Sequence, residues 1–163
     1  MANSNWARWM FASVATYLKQ VATDASIPAI VEGMDDRTDD FMQASERVEI
    51  RITGPFVTEE SKGYFRVYMD VNVILTSRYD GAAKNRYALL KNAGLFQEAM
   101  DTVINIHRYG NEPGDDDSFL GCLRPRSGRN DSVRVIHFGQ VDLTDKLRQS
   151  AVDARYVMYL EDN

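Results

Sequence analysis

Tyr64-Phe65-Arg66-Val67-Tyr68-Met69-Asp70-Val71-Asn72-Val73-Ile74-Leu75-Thr76 alternates apolar and polar side chains almost without a break. Successive side chains of a strand point to opposite faces, so Phe65, Val67, Met69, Val71, Val73 and Leu75 share one face. The opposite face carries Arg66, Asp70, Asn72 and Thr76, with Tyr68 and Ile74 among them. An average strand has about 5–6 residues, and this one is roughly twice that. Upstream, Val48 to Thr58 also alternates in its first half, and Glu59-Glu60-Ser61-Lys62-Gly63 supplies loop chemistry between the two runs. The expectation is a long β-hairpin, a shape that serves assembly better than catalysis.

Outward from the hairpin, residues 5–22 read as an amphipathic helix. Trp6, Trp9, Met10, Ser13, Val14, Tyr17, Leu18 and Val21 recur at spacings of three and four. Asn3, Ser4 or Asn5 can cap it. The stripe reads as core-facing, the alternative being a tryptophan that docks on a neighbouring subunit. Ile27-Pro28-Ala29-Ile30-Val31 reads as a short edge strand, because Pro28 cannot donate to a ladder. Residues 82–107 return to helical spacing, with Tyr87, Leu90, Gly94 or Leu95, Ala99, Met100 and Val103 on one face and a possible break at Asn92-Ala93-Gly94.

Residues 109–131 read as irregular, with a brief strand from Phe119 to Leu123; so long a structureless stretch is usually functional or disordered. Val133 to Phe138 reads as a strand, and Val141 to Leu147 as a turn or a single helical turn. Val152, Ala154, Tyr156, Met158 and Leu160 alternate in a last strand. The expected fold is α+β in one domain, 1–163: a twisted, mostly antiparallel sheet with a long β-hairpin, flanked by the N-terminal amphipathic helix and a second helix.

Composition narrows the function classes. A chain of 163 residues can bury a real core, and 44% hydrophobic with 26% charged residues is ordinary for a soluble globular protein. A net charge of −5 without a long basic run argues against tight DNA binding. Cys122 is the single cysteine, which excludes an intrachain disulfide framework and fits a reducing compartment. No segment approaches the roughly 18 apolar residues of a membrane span. Met1-Ala2-Asn3-Ser4-Asn5 lacks a basic and an apolar signal region, so synthesis in a cytoplasm, or departure in a particle, is expected.

The chemistry-bearing residues do not assemble into a catalytic or metal pattern. Asp35-Asp36-Arg37-Thr38-Asp39-Asp40 invites a calcium reading, but Arg37 falls at the third loop position and Asp40 replaces the turn glycine. The run reads as a helix cap or an exposed loop. Asp115, Asp116 and Asp117 match no calcium-loop spacing and read as solvated. His107, His137 and Cys122 lack zinc-ligand spacing, and His107 reads as a partner of carbonyls near a helix end. Neither a nucleophile elbow nor a phosphate-binding glycine loop is present. Carboxylate pairs that meet only in space stay open. The expectation is a non-enzyme without cofactor. Arg124, Arg126, Arg129 and Arg134 follow the acidic stretch, so one excursion has a negative and a positive half. In a head-to-tail ring the two halves of adjacent subunits can face each other; the alternative is two exposed loops without a partner.

The order of elements resembles the tail terminator, or tail completion, proteins of tailed bacteriophages. The matching segments are Arg47-Val48-Glu49-Ile50-Arg51-Ile52-Thr53-Gly54-Pro55, the strand from Tyr64 to Thr76 and Ala154-Arg155-Tyr156-Val157-Met158-Tyr159-Leu160-Glu161. The resemblance covers most of the chain in order of elements, and the 109–131 excursion is an addition. It implies a virion protein, assembled in the host cytoplasm, that forms a hexameric ring on the head-proximal end of the tail tube. Such a ring stops tube growth, contacts the tail tube protein and a neck or head-completion protein, and lets DNA pass without specific binding. No membrane is involved and no catalytic residue is implied. The expected oligomer interface comprises Phe56, Glu59, Glu60, Lys62, Tyr64, Arg66 and Tyr68 of the hairpin, with Asp115, Asp116, Asp117, Arg124, Arg126 and Arg129. Other expectations are another neck, connector or tube component, a small ligand-binding or enzymatic α+β domain with its site in 109–131, and a host adaptor acting as a dimer.

Overall fold

The computed structural model describes residues 5–79, 83–109, 118–126, 133–142, 144 and 146–161. Its centre is the expected hairpin. β2 (Glu46–Ser61) and β3 (Tyr64–Arg78) pair antiparallel from Glu46↔Ser77 to Ser61↔Tyr64. The loop foreseen at 59–63 is shorter than expected: both strands run on to a two-residue turn, Lys62-Gly63. Gly63 takes φ +80° there, a left-handed conformation that costs glycine nothing.

β7 (Leu147–Glu161) lies along the other side of β3 for its whole length, from Tyr64↔Glu161 to Arg78↔Leu147. It begins earlier than the alternation from Val152 indicated, and the expected 141–147 turn gives up residues to both flanking strands. β1 (Ala29–Val31) adds to β2 in parallel. The opposite side of β7 is shared: β6 (Arg134–Asp142) pairs with Leu147 to Asp153, and β5 (Ser118–Pro125) touches Tyr156 and Val157. β4 (Ile104–Arg108) closes the order β1-β2-β3-β7-β5-β4. The α+β class holds, and β1–β2 is the one parallel pairing of the described strands.

One face of this sheet is the core. Val67, Met69, Val71, Val73 and Leu75 are buried on β3, Val48 and Ile50 on β2, and Val152, Ala154, Tyr156 and Met158 on β7. α1 (Trp6–Asp24) covers them with Trp9, Met10, Val14, Leu18 and Ala22. Full burial of such side chains stabilises by about 1.5–3 kcal/mol each. Asn5 takes the N-cap position, but with φ −77° and ψ −14° its side chain makes no capping bond; capping needs an extended residue there. Asn3 and Ser4 lie outside the described residues. α1 is tied to β4 by the His107 N–H donating to Ser13 Oγ (3.0 Å) and to Tyr109 by Trp9 Nε1 donating to its carbonyl (3.0 Å). The same geometry corrects the reading of His107. It sits in a strand, its ring edge-on to Phe119 at 6.4 Å, and not at a helix end.

α3 (Ala83–Met100) also departs from the sequence reading. It runs through Gly94 as one helix and stops at Met100, and β4 takes residues 104–107 at the end of the expected helix. Its buried face is Leu89, Ala93, Phe96 and Met100; Tyr87 and Leu90 point outward, 70% and 47% exposed. Three hydroxyls fix its end. Tyr17 and Thr102 donate to the Ala99 carbonyl (2.9 and 2.7 Å), and Tyr156 donates to the Met100 carbonyl (2.6 Å). The last carbonyls of a helix have no intrahelical partner, so these bonds explain where α3 stops. α2 (Asp39–Gln43) is a single short helix capped by Thr38 Oγ1, which accepts from Phe41 N (3.2 Å).

Candidate subunit interface

The face of the sheet opposite α1 and α3 carries an ordered polar and aromatic ladder. Arg155 on β7 lies opposite Asp70 on β3, and its Nε and Nη2 donate to the two carboxylate oxygens at 2.7 and 2.9 Å. Its guanidinium also lies 4.9 Å from the centre of the Tyr68 ring, and Phe56 stacks on that ring from β2 at 5.0 Å. Further along, Asn72 donates to Asp153, and Gln149 to Thr76 at 3.1 Å. Towards the tip, Arg66 pairs with Glu60 at 2.9 Å. These contacts hold the strands in register and fix the outward face.

Past Ile52 the helices no longer cover β2. Thr53 and Phe56 to Ser61 are exposed, as are Tyr64 and Tyr159 on the neighbouring strands. The distal ends of β2, β3 and β7 form a three-stranded arm in which β2 is uncovered, while Val67 of β3 and Met158 of β7 stay buried. Its outer edge, the far side of β2, has no neighbouring strand among the described residues, an arrangement that invites pairing with other chains. The edge is interrupted: between Thr53↔Asp70 and Phe56↔Tyr68, β2 sets two residues against one of β3. This bulge holds Gly54 and Pro55, and Pro55 has no N–H to offer an incoming strand. Gly54 has φ +111°, and a Cβ there would stand 3.0 Å from the Tyr68 carbonyl.

Of the residues expected at an interface, Phe56, Tyr68, Arg66 and Arg126 come together. Arg66, Tyr68, Arg126 and Arg155 line a hollow of about 120 Å³. Beside it an open groove of about 690 Å³ runs between β5 and the end of β7, bordered by Trp6, Cys122, Arg124, Arg126 and Tyr159. Arg124 and Arg126 are exposed at the end of β5. Glu59, Glu60, Lys62 and Tyr64 form the arm tip. Asp115, Asp116, Asp117 and Arg129 lie outside the described residues. Sequence reasoning missed Arg155, Val157 and Tyr159. Their alternation with Ala154, Tyr156 and Met158 carried the signal, but not the register that sets Arg155 against Asp70.

The β1 edge carries a cluster of acidic residues. β1 is closed to further strands by its own turn. Val31 N–H donates to Asp35 Oδ2 (2.8 Å), and the Val31 carbonyl accepts from Met34 and Asp35 N–H (3.1 and 3.0 Å). Lys19 also donates to Asp35 Oδ2, at 2.9 Å. The Lys19 ammonium, and then the Val31 N–H, hold the Asp35 carboxyl below the usual carboxylate range. Beside this turn is a cleft of about 510 Å³, floored by Pro28, Ala29, Ile30 and Phe41 and rimmed by Asp36 and Asp40. Arg37 and Arg51 are engaged by Glu49 and Glu32 (2.8 Å in each closest pair), whereas Asp36, Asp39 and Asp40 make no ion pair among the described residues. The run at 35–40 is thus a turn and a helix cap, as read from sequence.

Among the described residues no group of three His, Cys, Asp or Glu side chains is placed to hold a metal ion, and no helix is long and apolar enough to cross a membrane. No protein-family model matches this chain, and no curated protein matches it in sequence.

Proposed function

We propose that this chain is a structural assembly subunit that associates with copies of itself into a ring, in the manner of the tail terminator proteins of tailed bacteriophages. The observation that carries the reading is the three-stranded arm. It is built from the longest of the described strands, its β2 is exposed beyond Ile52, and its outward face is fixed in place by Arg155–Asp70 and Phe56–Tyr68. A side-chain ladder of that order on an uncovered face fits a surface prepared for a protein partner, with aromatic and arginine anchors of the kind that dominate interfaces.

On this reading the ring would be a hexamer at the head-proximal end of a tail tube, in contact with the tube protein on one side and a neck protein on the other, and the chain would be a virion component without enzymatic activity. Another neck or tube component would use the same arm. The groove between β5 and β7 favours a second reading, because its volume of about 690 Å³ falls within the range of small-molecule sites, about 300–1,000 Å³. Its polar lining, Arg124 and Arg126, would select an anionic ligand.

Native mass spectrometry of the purified chain, followed by negative-stain imaging of the same sample, tests the first reading. Closed rings of one stoichiometry are expected. A chain that remains monomeric at every concentration, and whose melting temperature rises with small anions, overturns it in favour of the second.

A further inference from the structure

We propose that the arginine edge of one copy, Arg124 and Arg126 beside the β5–β7 groove, docks on the acidic cleft at the β1 edge of a second copy. The inference rests on the assembly reading above and specifies which surfaces meet. Three observations carry it. The two surfaces are complementary in charge: Arg124 and Arg126 are exposed at one, while Asp36, Asp39 and Asp40 are exposed and without an ion pair among the described residues at the other. They are also set well apart in the strand order, with β2, β3 and β7 between β1 and β5. A contact between unlike surfaces is heterologous: each copy keeps one used and one free surface, so copies add in a single direction until a ring closes. The shapes correspond as well. The cleft has an apolar floor of Pro28, Ala29, Ile30 and Phe41 inside a rim of Asp36 and Asp40, with Lys19 neutralised by Asp35, and Tyr159, 67% exposed, stands beside the arginines as the side chain to enter it.

The turn at Asp35 adds a restriction. It occupies both backbone groups of Val31, so the second copy cannot simply extend the sheet there by strand addition. Recognition at this margin falls to side chains, which makes it dependent on charge and sensitive to salt.

A charge-swap series on the full chain, followed by sedimentation velocity over a range of concentrations, tests this. R124E/R126E and D36K/D40K are each expected to weaken self-association by at least about tenfold. The combined variant, R124E/R126E/D36K/D40K, is expected to regain it, because the surfaces are again complementary with signs exchanged. Circular dichroism melts check that all three remain folded. If the combined variant does not fold, R124Q/R126Q mixed with D36N/D40N replaces it. Each of these keeps one surface, so the mixture is expected to form a pair that grows no further. Reversed variants that associate as wild type does overturn the docking and leave the assembly reading standing. A wild-type chain that never associates overturns the assembly reading itself.

Discussion

The same three strands behave differently at their two ends. Near the helices β2, β3 and β7 are covered, and Val48, Ile50, Val71, Val73 and Val152 are almost inaccessible. At the arm the cover persists over β3 and β7 but not over β2. Val67 on β3 is 1% exposed, while Val57, directly across from it on β2, is 57% exposed. Strand alternation therefore fixes which side chains share a face, and the elements packed above decide whether that face is a core. The covered half supplies stability, so changes there should unfold the chain. On the proposed assembly reading the arm would supply contact surface, so changes there should leave the fold and remove association.

The sharpest break of that contrast is at Phe96, fully buried on α3. Phe96→Ala is expected to cost about 3–5 kcal/mol, read as a lowered midpoint in urea unfolding. A loss below about 1 kcal/mol would mean that α3 is not part of the core.

Tyr156 comes next. Its ring is buried in the sheet face, and its hydroxyl donates to the Met100 carbonyl at the end of α3. Tyr156→Phe leaves that carbonyl without this partner and should cost about 1–3 kcal/mol. Burial, with the nearby Tyr17 and Asp101, raises the phenol above its usual range. A raised folded value means that the folded state holds the proton more tightly. The contribution is then fully present below about pH 10, the unfolded value, and is lost as pH rises beyond it. Wild type should lose stability above that pH more steeply than Tyr156→Phe. Equal slopes would place the phenol in water.

These positions also mark what could be read from sequence. The hairpin was legible because Phe65 to Leu75 alternates over so many residues that no helical stripe competes. α3 was less legible. Tyr87, Leu90, Gly94 and Leu95 form one plausible stripe and Leu89, Ala93, Phe96 and Met100 another, and only the sheet decides between them. β4 was hidden because Val103 continues the helical spacing of Met100; the hydroxyls that stop α3 come from Tyr17, Thr102 and Tyr156. Two of those are far away in sequence. Arg155–Asp70 was hidden for a related reason: the partners are 85 positions apart, and their meeting requires a strand order that places β7 next to β3. The acidic turn at 35–40 was recognised as a turn, but its closing of β1 depends on where the Asp35 carboxylate points.

Asp35 offers a smaller test. Asp35→Asn removes the charge that accepts from Lys19 and Val31 and should cost about 1–2 kcal/mol at neutral pH. The folded carboxyl is lowered, so its contribution is present above about pH 4, the unfolded value, and is lost as pH falls through the folded one. The difference between wild type and Asp35→Asn in thermal melts should therefore shrink on acidification. A gap that stays constant down to the lowest pH at which the chain folds would assign the loss to something other than the charge.

The smallest effect on stability is expected from the largest change in the arm. Deleting Phe56 to Gly63 removes the tip and the Phe56–Tyr68 stack, which is worth about 0.5–1.5 kcal/mol. The segment Tyr64 to Tyr68 loses its β2 partner but keeps β7 on the other side, from Tyr64↔Glu161 to Tyr68↔Val157. The removed residues of β2 are exposed, so little apolar burial is lost with them. The deletion variant should thus unfold near the wild-type midpoint while failing to form rings. A variant that unfolds outright would make the arm part of the folding unit and erase the distinction between the two ends of the sheet. A folded variant that still forms rings would keep the distinction but move the contact surface away from the tip, to the surfaces that carry Arg124 and Asp36.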